Sequence, residues 1–154
     1  MKNLYLLIFL ISISCFSCKR SGISPTEYKI IQDITQKETK LKNISINNCA
    51  WTLIQPFLSE GVGDIYLNFC LDELDSIKKL NENTLLLVFN NCHGVTIQKI
   101  EWTDKNISSE EKNKIKANSC KEIYMYFSDS LHLIQMNNIL TKSANNCGAS
   151  IAHN

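Results

Sequence analysis

Thr84-Leu85-Leu86-Leu87-Val88-Phe89 is an apolar run of strand length that stops at the turn Asn90-Asn91-Cys92-His93-Gly94. Beyond the turn, Val95-Thr96-Ile97-Gln98-Lys99-Ile100 leads into a second strand, so residues 84–100 are expected to pair as a hairpin. Here the character of the chain changes. Upstream, apolar residues recur at helical intervals. Ser24-Pro25-Thr26-Glu27 starts a helix over 25–40: the serine caps, the proline suits the first turn, and the glutamate three residues on bonds back to the cap. Asn48 is expected to cap a second helix carrying Ala50, Trp51, Leu53, Ile54, Phe57 and Leu58, shortened by Pro56. After the turn Gly61-Val62-Gly63-Asp64, the spacing of Ile65, Phe69, Cys70, Leu74 and Ile77 predicts a third helix to about Leu80.

Downstream, Ser108-Ser109-Glu110-Glu111 opens a polar helix to about Ala117. A second hairpin is expected from Glu122–Phe127, the turn Ser128-Asp129-Ser130 and Leu131–Asn137, before a small, polar tail from Thr141. Helices, hairpin, helix and hairpin in that order imply an α+β domain: an antiparallel sheet of about four strands in two hairpins, with N-terminal helices and one inserted helix.

The N-terminus is of another kind. Met1-Lys2-Asn3 carries one positive charge, and Leu4–Ile13 is a run of ten residues with only Ser12 polar. That is half of the ~20 residues a membrane span needs, and it suits the apolar region of a secretory signal. Small residues and two cysteines follow, and Phe16-Ser17-Cys18-Lys19 resembles the end of a bacterial lipoprotein signal. The resemblance covers residues 1–18 alone. It implies cleavage before Cys18, a diacylglycerol thioether on that sulfur, and attachment to a membrane through the lipid. Cys15, after Ser12-Ile13-Ser14, is the competing lipidation site, and it stands where the family usually has leucine. The expected organisation is a signal peptide at 1–17, a lipidated tether at 18–24 and one domain at 25–154.

Lysine outnumbers arginine fifteen to one, and isoleucine and asparagine are heavily used, a bias that follows AT-rich bacterial codons. Surface-exposed lipoproteins of some AT-rich Gram-negative groups carry an acidic run after the lipidated cysteine. Lys19-Arg20-Ser21-Gly22 has none, which by that resemblance places the domain on the periplasmic side of the outer or inner membrane. Without residues 1–17 the chain holds fifteen basic and fifteen acidic side chains, a balance that argues against nucleic acid as a partner.

In an oxidising compartment Cys49, Cys70, Cys92, Cys120 and Cys147 read as disulfide material. No pair has metal-ligand spacing of the Cys-x-x-Cys kind. The second hairpin would bring Cys120 close to the residues after Asn137, which makes Cys120–Cys147 the preferred bridge and leaves Cys49, Cys70 and Cys92 to compete for another.

Catalytic and cofactor signatures are not found in the sequence. Cys92-His93 is the one soft-metal or thiolate–imidazole candidate, and His132 is expected in an alternating strand. Asp72, Glu73 and Asp75 fall on the expected solvent face of a helix. Asp75-Ser76-Ile77 and Asp129-Ser130-Leu131 resemble three-residue O-glycosylation sites of envelope proteins in some AT-rich Gram-negative bacteria, with Ser76 and Ser130 as acceptors. Trp51, Trp102, Tyr124 and Tyr126 are the candidate interface aromatics, the two tyrosines sharing one face of a strand. The reading that gathers these features is a lipid-anchored envelope protein whose domain binds a protein partner, as an immunity- or inhibitor-type module or as a subunit of an envelope assembly. The alternative is a small periplasmic metal-handling or thiol-dependent enzyme using Cys92 and His93.

Overall fold

The computed structural model describes residues 23–38, 41–56, 62–90, 94–119 and 121–151. The chain is α+β, with antiparallel sheets and a disulfide. Helix α1 (Pro25–Lys37) precedes strands β1 (Lys42–Asn47), β2 (Ala50–Pro56) and β3 (Val62–Cys70). A single 3-10 turn (Leu71–Glu73) leads to β4 (Leu74–Asn81), β5 (Thr84–Phe89) and β6 (Val95–Trp102). Helix α2 (Ser109–Ser119), β7 (Glu122–Tyr126) and helix α3 (Ser130–Cys147) complete the order.

Two sheets replace the single one expected. Four strands pair in the order β1-β2-β3-β6 and three in the order β4-β5-β7, antiparallel throughout. The run Thr84–Phe89 is a strand, but it does not pair with Val95–Ile100. It is the centre of the smaller sheet, with Leu87 in register with Ile77 on one side and Ile123 on the other. Flanked on both sides, β5 takes an apolar residue at almost every position, which is why it reads as a continuous run. Its expected partner β6 closes the larger sheet, with Phe69 opposite Val95.

The two central helices of the sequence reading are strands where the chain is described, and Phe57, Leu58 and Gly61 lie outside the described residues. Residues 50–58 fit a helix because Ala50, Trp51, Leu53 and Ile54 are all apolar. Their burial shows why the pattern was ambiguous: Trp51 and Leu53 face the core, and Ile54, on the other face, is also buried. In β3 the buried residues Ile65, Leu67 and Phe69 alternate strictly, the period of a strand.

At the C-terminal end the error runs the other way. Leu131–Asn137, expected as a strand, is the start of α3. The Asp129 side chain accepts the Leu131 N–H, and burial of Leu133, Met136, Ile139, Leu140, Ser143 and Ala144 follows a helical face. Gly148, at φ 97°, closes the helix: its N–H reaches Asn145 O and the Ala149 N–H reaches Ala144 O. The helix therefore absorbs the tail that looked merely small and polar.

This helix overturns the preferred Cys120–Cys147 bridge. That pairing needed a second hairpin; α3 instead carries Cys147 to the β1–β2 turn, where it bonds Cys49, 98 positions away. Asn48 makes the turn with a positive φ of 56°, a conformation asparagine tolerates, and Cys49 is fully buried. Leu71 N–H donates to Cys49 O and Cys70 N–H to Gly94 O, so four segments converge at the stapled end.

One core joins the sheets and α3. Trp51, Leu53, Ile65, Leu67 and Phe69 from the larger sheet meet Leu85, Leu87, Phe89, Ile123 and Met125 from the smaller, under Leu133, Met136 and Leu140. Helix α1 adds only Ile31 and Ile34 as fully buried side chains. Its first turn is the capping box the sequence announces, with Glu27 N–H donating to Ser24 Oγ and Ser24 N–H to Glu27 Oε2.

Candidate interaction surface

Strand β7 sorts its side chains by the two-residue period. Ile123 and Met125 point into the core, and Tyr124 and Tyr126 stand on the opposite face, half-buried. Their rings stack with centroids 6.3 Å apart and planes within 12°. Tyr124 is in register with Leu86 and Tyr126 with Thr84, so the outer face of the smaller sheet carries an aromatic pair beside a nearly buried leucine.

Two polar contacts fix this strip. The Tyr124 hydroxyl donates to Glu122 Oε2 at 2.8 Å. The backbone N–H of Tyr124 points away from β5 and donates to Gln55 Oε1 at 3.4 Å. Gln55 is 2 % exposed, a polar residue at an inward position of β2, and its amide oxygen occupies the open edge of β7. Burial followed by the Glu122 carboxylate raises the Tyr124 hydroxyl above its ordinary pKa, and burial does the same at Tyr126. Both phenols remain protonated donors at neutral pH. Such rings bring large contact area at small conformational cost.

The other expected aromatics are dispersed. Trp51 is 1 % exposed, packed on Phe69 with ring centroids 6.0 Å apart, and is therefore not an interface residue. Trp102 ends β6, half-buried, with Lys112 Nζ of α2 5.4 Å from its ring centroid. On the outer face of the larger sheet, Glu101 Oε1 accepts from the Tyr66 hydroxyl at 3.0 Å and from Lys99 Nζ at 2.7 Å.

A second polar centre was missed altogether. Glu38 caps the C-terminus of α1, and its carboxylate, with no exposed side-chain surface, is inserted into the first turn of α3. It accepts from Ser128 N–H at 2.6 Å, Ser128 Oγ at 2.7 Å, Asp129 N–H at 3.3 Å and His132 Nδ1 at 2.7 Å. Burial alone would push this carboxyl up; the Ser128, His132 and Asp129 donors outweigh burial and hold it below its ordinary value. An ionised carboxylate only accepts, so Nδ1 of His132 carries the proton. The arrangement orients an imidazole, but the Ser128 hydroxyl is bonded to the carboxylate and not to the ring, so no hydroxyl is activated as a nucleophile. It is a brace between two helices. The cue in the sequence was Ser128-Asp129, a helix start read as a hairpin turn.

The remaining candidates are placed as follows. Ser76 is 4 % exposed in β4, so a glycan there would have to precede folding, whereas Ser130 is exposed as the first residue of α3. Cys70 ends β3, half-buried. Cys15, Cys18, Cys92, His93 and Cys120 lie outside the described residues. Among the described residues no group of three or more His, Cys, Asp or Glu side chains is arranged to hold a metal ion. None of their helices is long and apolar enough to cross a membrane. No protein-family model, no curated protein and no solved structure matches the chain.

Proposed function

We propose that this chain is a lipid-anchored protein of the bacterial cell envelope, attached through Cys18, whose α+β domain binds a protein partner across the outer face of β4-β5-β7. The stacked Tyr124–Tyr126 pair carries the reading. Its rings are held before any partner arrives, by the ladder to β5, by Glu122 and by Gln55, so little ordering is left for the moment of binding. Preordered aromatic side chains are common anchors of protein interfaces. Charge balance favours the same partner class, because a polyanion would require a basic surface. An immunity- or inhibitor-type module and a subunit of an envelope assembly are the two forms this function would take, on the periplasmic side of the outer or inner membrane.

The test is photo-crosslinking in a Gram-negative host, with a photoreactive amino acid replacing Tyr124, Tyr126 or, as a control, the exposed Lys105 of the loop before α2. A discrete crosslinked species from both tyrosine positions and none from Lys105 is the expected result. No crosslink from either tyrosine, or the same products from all three positions, removes the surface from consideration. The anchor is tested separately by the intact mass of the membrane-extracted chain. A mass beginning at Cys18 with acyl groups is expected, and an unacylated chain would sink that half of the proposal.

A further inference from the structure

We infer that α1 is a strap that opens as a unit from a disulfide-stapled body, and that its opening lengthens the connection between anchor and domain; the second half rests on lipidation at Cys18. Helix α1 lies antiparallel to α3 and is clasped to it at both ends. Near its start, Glu27 Oε1 meets Lys142 Nζ at 2.7 Å; at its end, the buried Glu38 takes the donors of Ser128, Asp129 and His132. Between the clasps Ile31 and Ile34 are its only fully buried side chains, and a shallow groove of about 280 Å³ runs beside Ile30 and Ile139. Among the described residues no ladder of backbone hydrogen bonds ties the helix to either sheet, and the two clasps and one apolar stripe hold it. Elements held by so few groups open below the free energy of global unfolding.

The staple makes the opening selective. Cys49–Cys147 bonds the C-terminus of α3 to the β1–β2 turn, so α3 stays with the sheets when α1 leaves. Tension arriving through the N-terminus meets α1 first, and the bridge stops its transmission along the chain at residue 49. The gain in reach is large. From Cys18 to Pro25 an extended chain spans about 25 Å, whereas with α1 released the span from Cys18 to Leu41 is about 80 Å. A domain held close to its own bilayer would thereby reach a partner well away from it.

Hydrogen exchange of the full chain at pH 7, followed by mass spectrometry, tests the strap. Amides of residues 29–38 should exchange about tenfold or more faster than those of β3 and β5. Glu38→Gln should accelerate residues 29–38 about tenfold further, whereas Ile123→Val, a loss inside the body that stays packed when α1 opens, should accelerate β3 and β5 about fivefold and leave residues 29–38 within about twofold. Lys142→Ala, which removes only an exposed partner, should accelerate the same segment about threefold and serves if the Glu38 variant does not fold. Exchange of α1 at the rate of β3 and β5, or acceleration of residues 29–38 by Ile123→Val as large as that of β3 and β5, would overturn the strap. The intact mass of the same sample reports the anchor independently: acylation at Cys18 is expected, and an unacylated chain would overturn the gain in reach while leaving the exchange result to stand by itself.

Discussion

Glu38 Oε1 and His132 Nδ1 are 2.7 Å apart although 94 positions separate the residues. The contact joins the C-cap of the first helix to the first turn of the last, and Glu38 has no exposed side-chain surface there. A carboxylate at a helix N-terminus is favoured by the helix dipole and by the open N–H groups of the first turn. Glu38 therefore acts as an internal anion for α3, and its removal leaves the Ser128, Asp129 and His132 donors without their acceptor.

Glu38→Ala is expected to lower stability by about 2 kcal/mol at pH 7, because Ser128, Asp129 and His132 lose a shared charged acceptor at once. Glu38→Gln should cost less, since its amide oxygen still accepts. Urea denaturation followed by tryptophan fluorescence measures both. Equal midpoints for wild type and the alanine variant would contradict the buried brace.

The pH dependence has a definite sign. Lys142 and the Ser24 backbone N–H lower Glu27 to about 2 from an ordinary 4.5, and Glu38 is also lowered. Groups whose folded pKa is depressed contribute stability that is present above the unfolded value and is lost as pH falls through the folded one. The urea midpoint should therefore decline between pH 4.5 and about 2, and Glu27→Gln should flatten that decline. A wild-type midpoint that rises on acidification through this window would show that the pairs do not form.

Reduction of Cys49–Cys147 should destabilise the domain by about 4 kcal/mol, the effect of releasing a loop of this size in the unfolded chain. Its 98-position separation encloses most of the folded domain. The Cys49→Ala/Cys147→Ala variant should unfold at the same denaturant concentration as the reduced protein. Peptide mapping without reduction should recover residues around Cys49 joined to those around Cys147, and a Cys120–Cys147 peptide would refute the pairing.

Two glycines should respond differently to alanine. A Cβ at Gly94 would stand 2.5 Å from Glu73 Cβ and 3.1 Å from Phe89 Cδ1, so Gly94→Ala forces the 3-10 turn away from β6. A loss of about 2 kcal/mol is expected from this overpacking. Gly148 has open space around it but a left-handed backbone, so Gly148→Ala should cost only about 1 kcal/mol. Equal midpoints for the two variants would show that the space at Gly94 is not limiting.

The tryptophans divide between core and surface. Trp51 is buried and its indole N–H has no hydrogen-bond partner among the described residues, so Trp51→Phe should leave the fold intact and Trp51→Ala should lose about 4 kcal/mol. Acrylamide should quench the Trp51→Phe variant, which retains half-buried Trp102, more strongly than the Trp102→Phe variant. The reverse order would place Trp51 at the surface.

Legibility in the sequence followed the range of the forces involved. The capping box of α1, the apolar run of β5 and the outward period of Tyr124 and Tyr126 were readable because each rests on residues a few positions apart. Residues 50–58 were not, because Gln55 breaks the inward alternation of β2 to satisfy a backbone N–H on β7, 69 positions away. Leu131-His132-Leu133 alternates as a strand would, whereas the burial of Leu133, Met136, Leu140 and Ala144 at helical spacing, spread over three turns, identifies the helical face. Of the candidate surface the tyrosine pair was foreseen; its brace by Gln55, and Glu38, were not, since an isolated polar residue does not announce its partner.

By itself, then, the sequence determined the class: an α+β chain with antiparallel strands and cysteines available for bridging, since composition, caps and short apolar runs are local properties. Which strands pair, that β5 joins β4 and β7 while β6 joins β3, that Cys147 meets Cys49, and that Trp51 is core were decided only by the tertiary structure. The physical reason is that a strand's edge and a thiol are unspecific donors of contact. Their partners are selected by the packing of one shared core, in which Phe69 of one sheet meets Phe89 of the other at 5.9 Å.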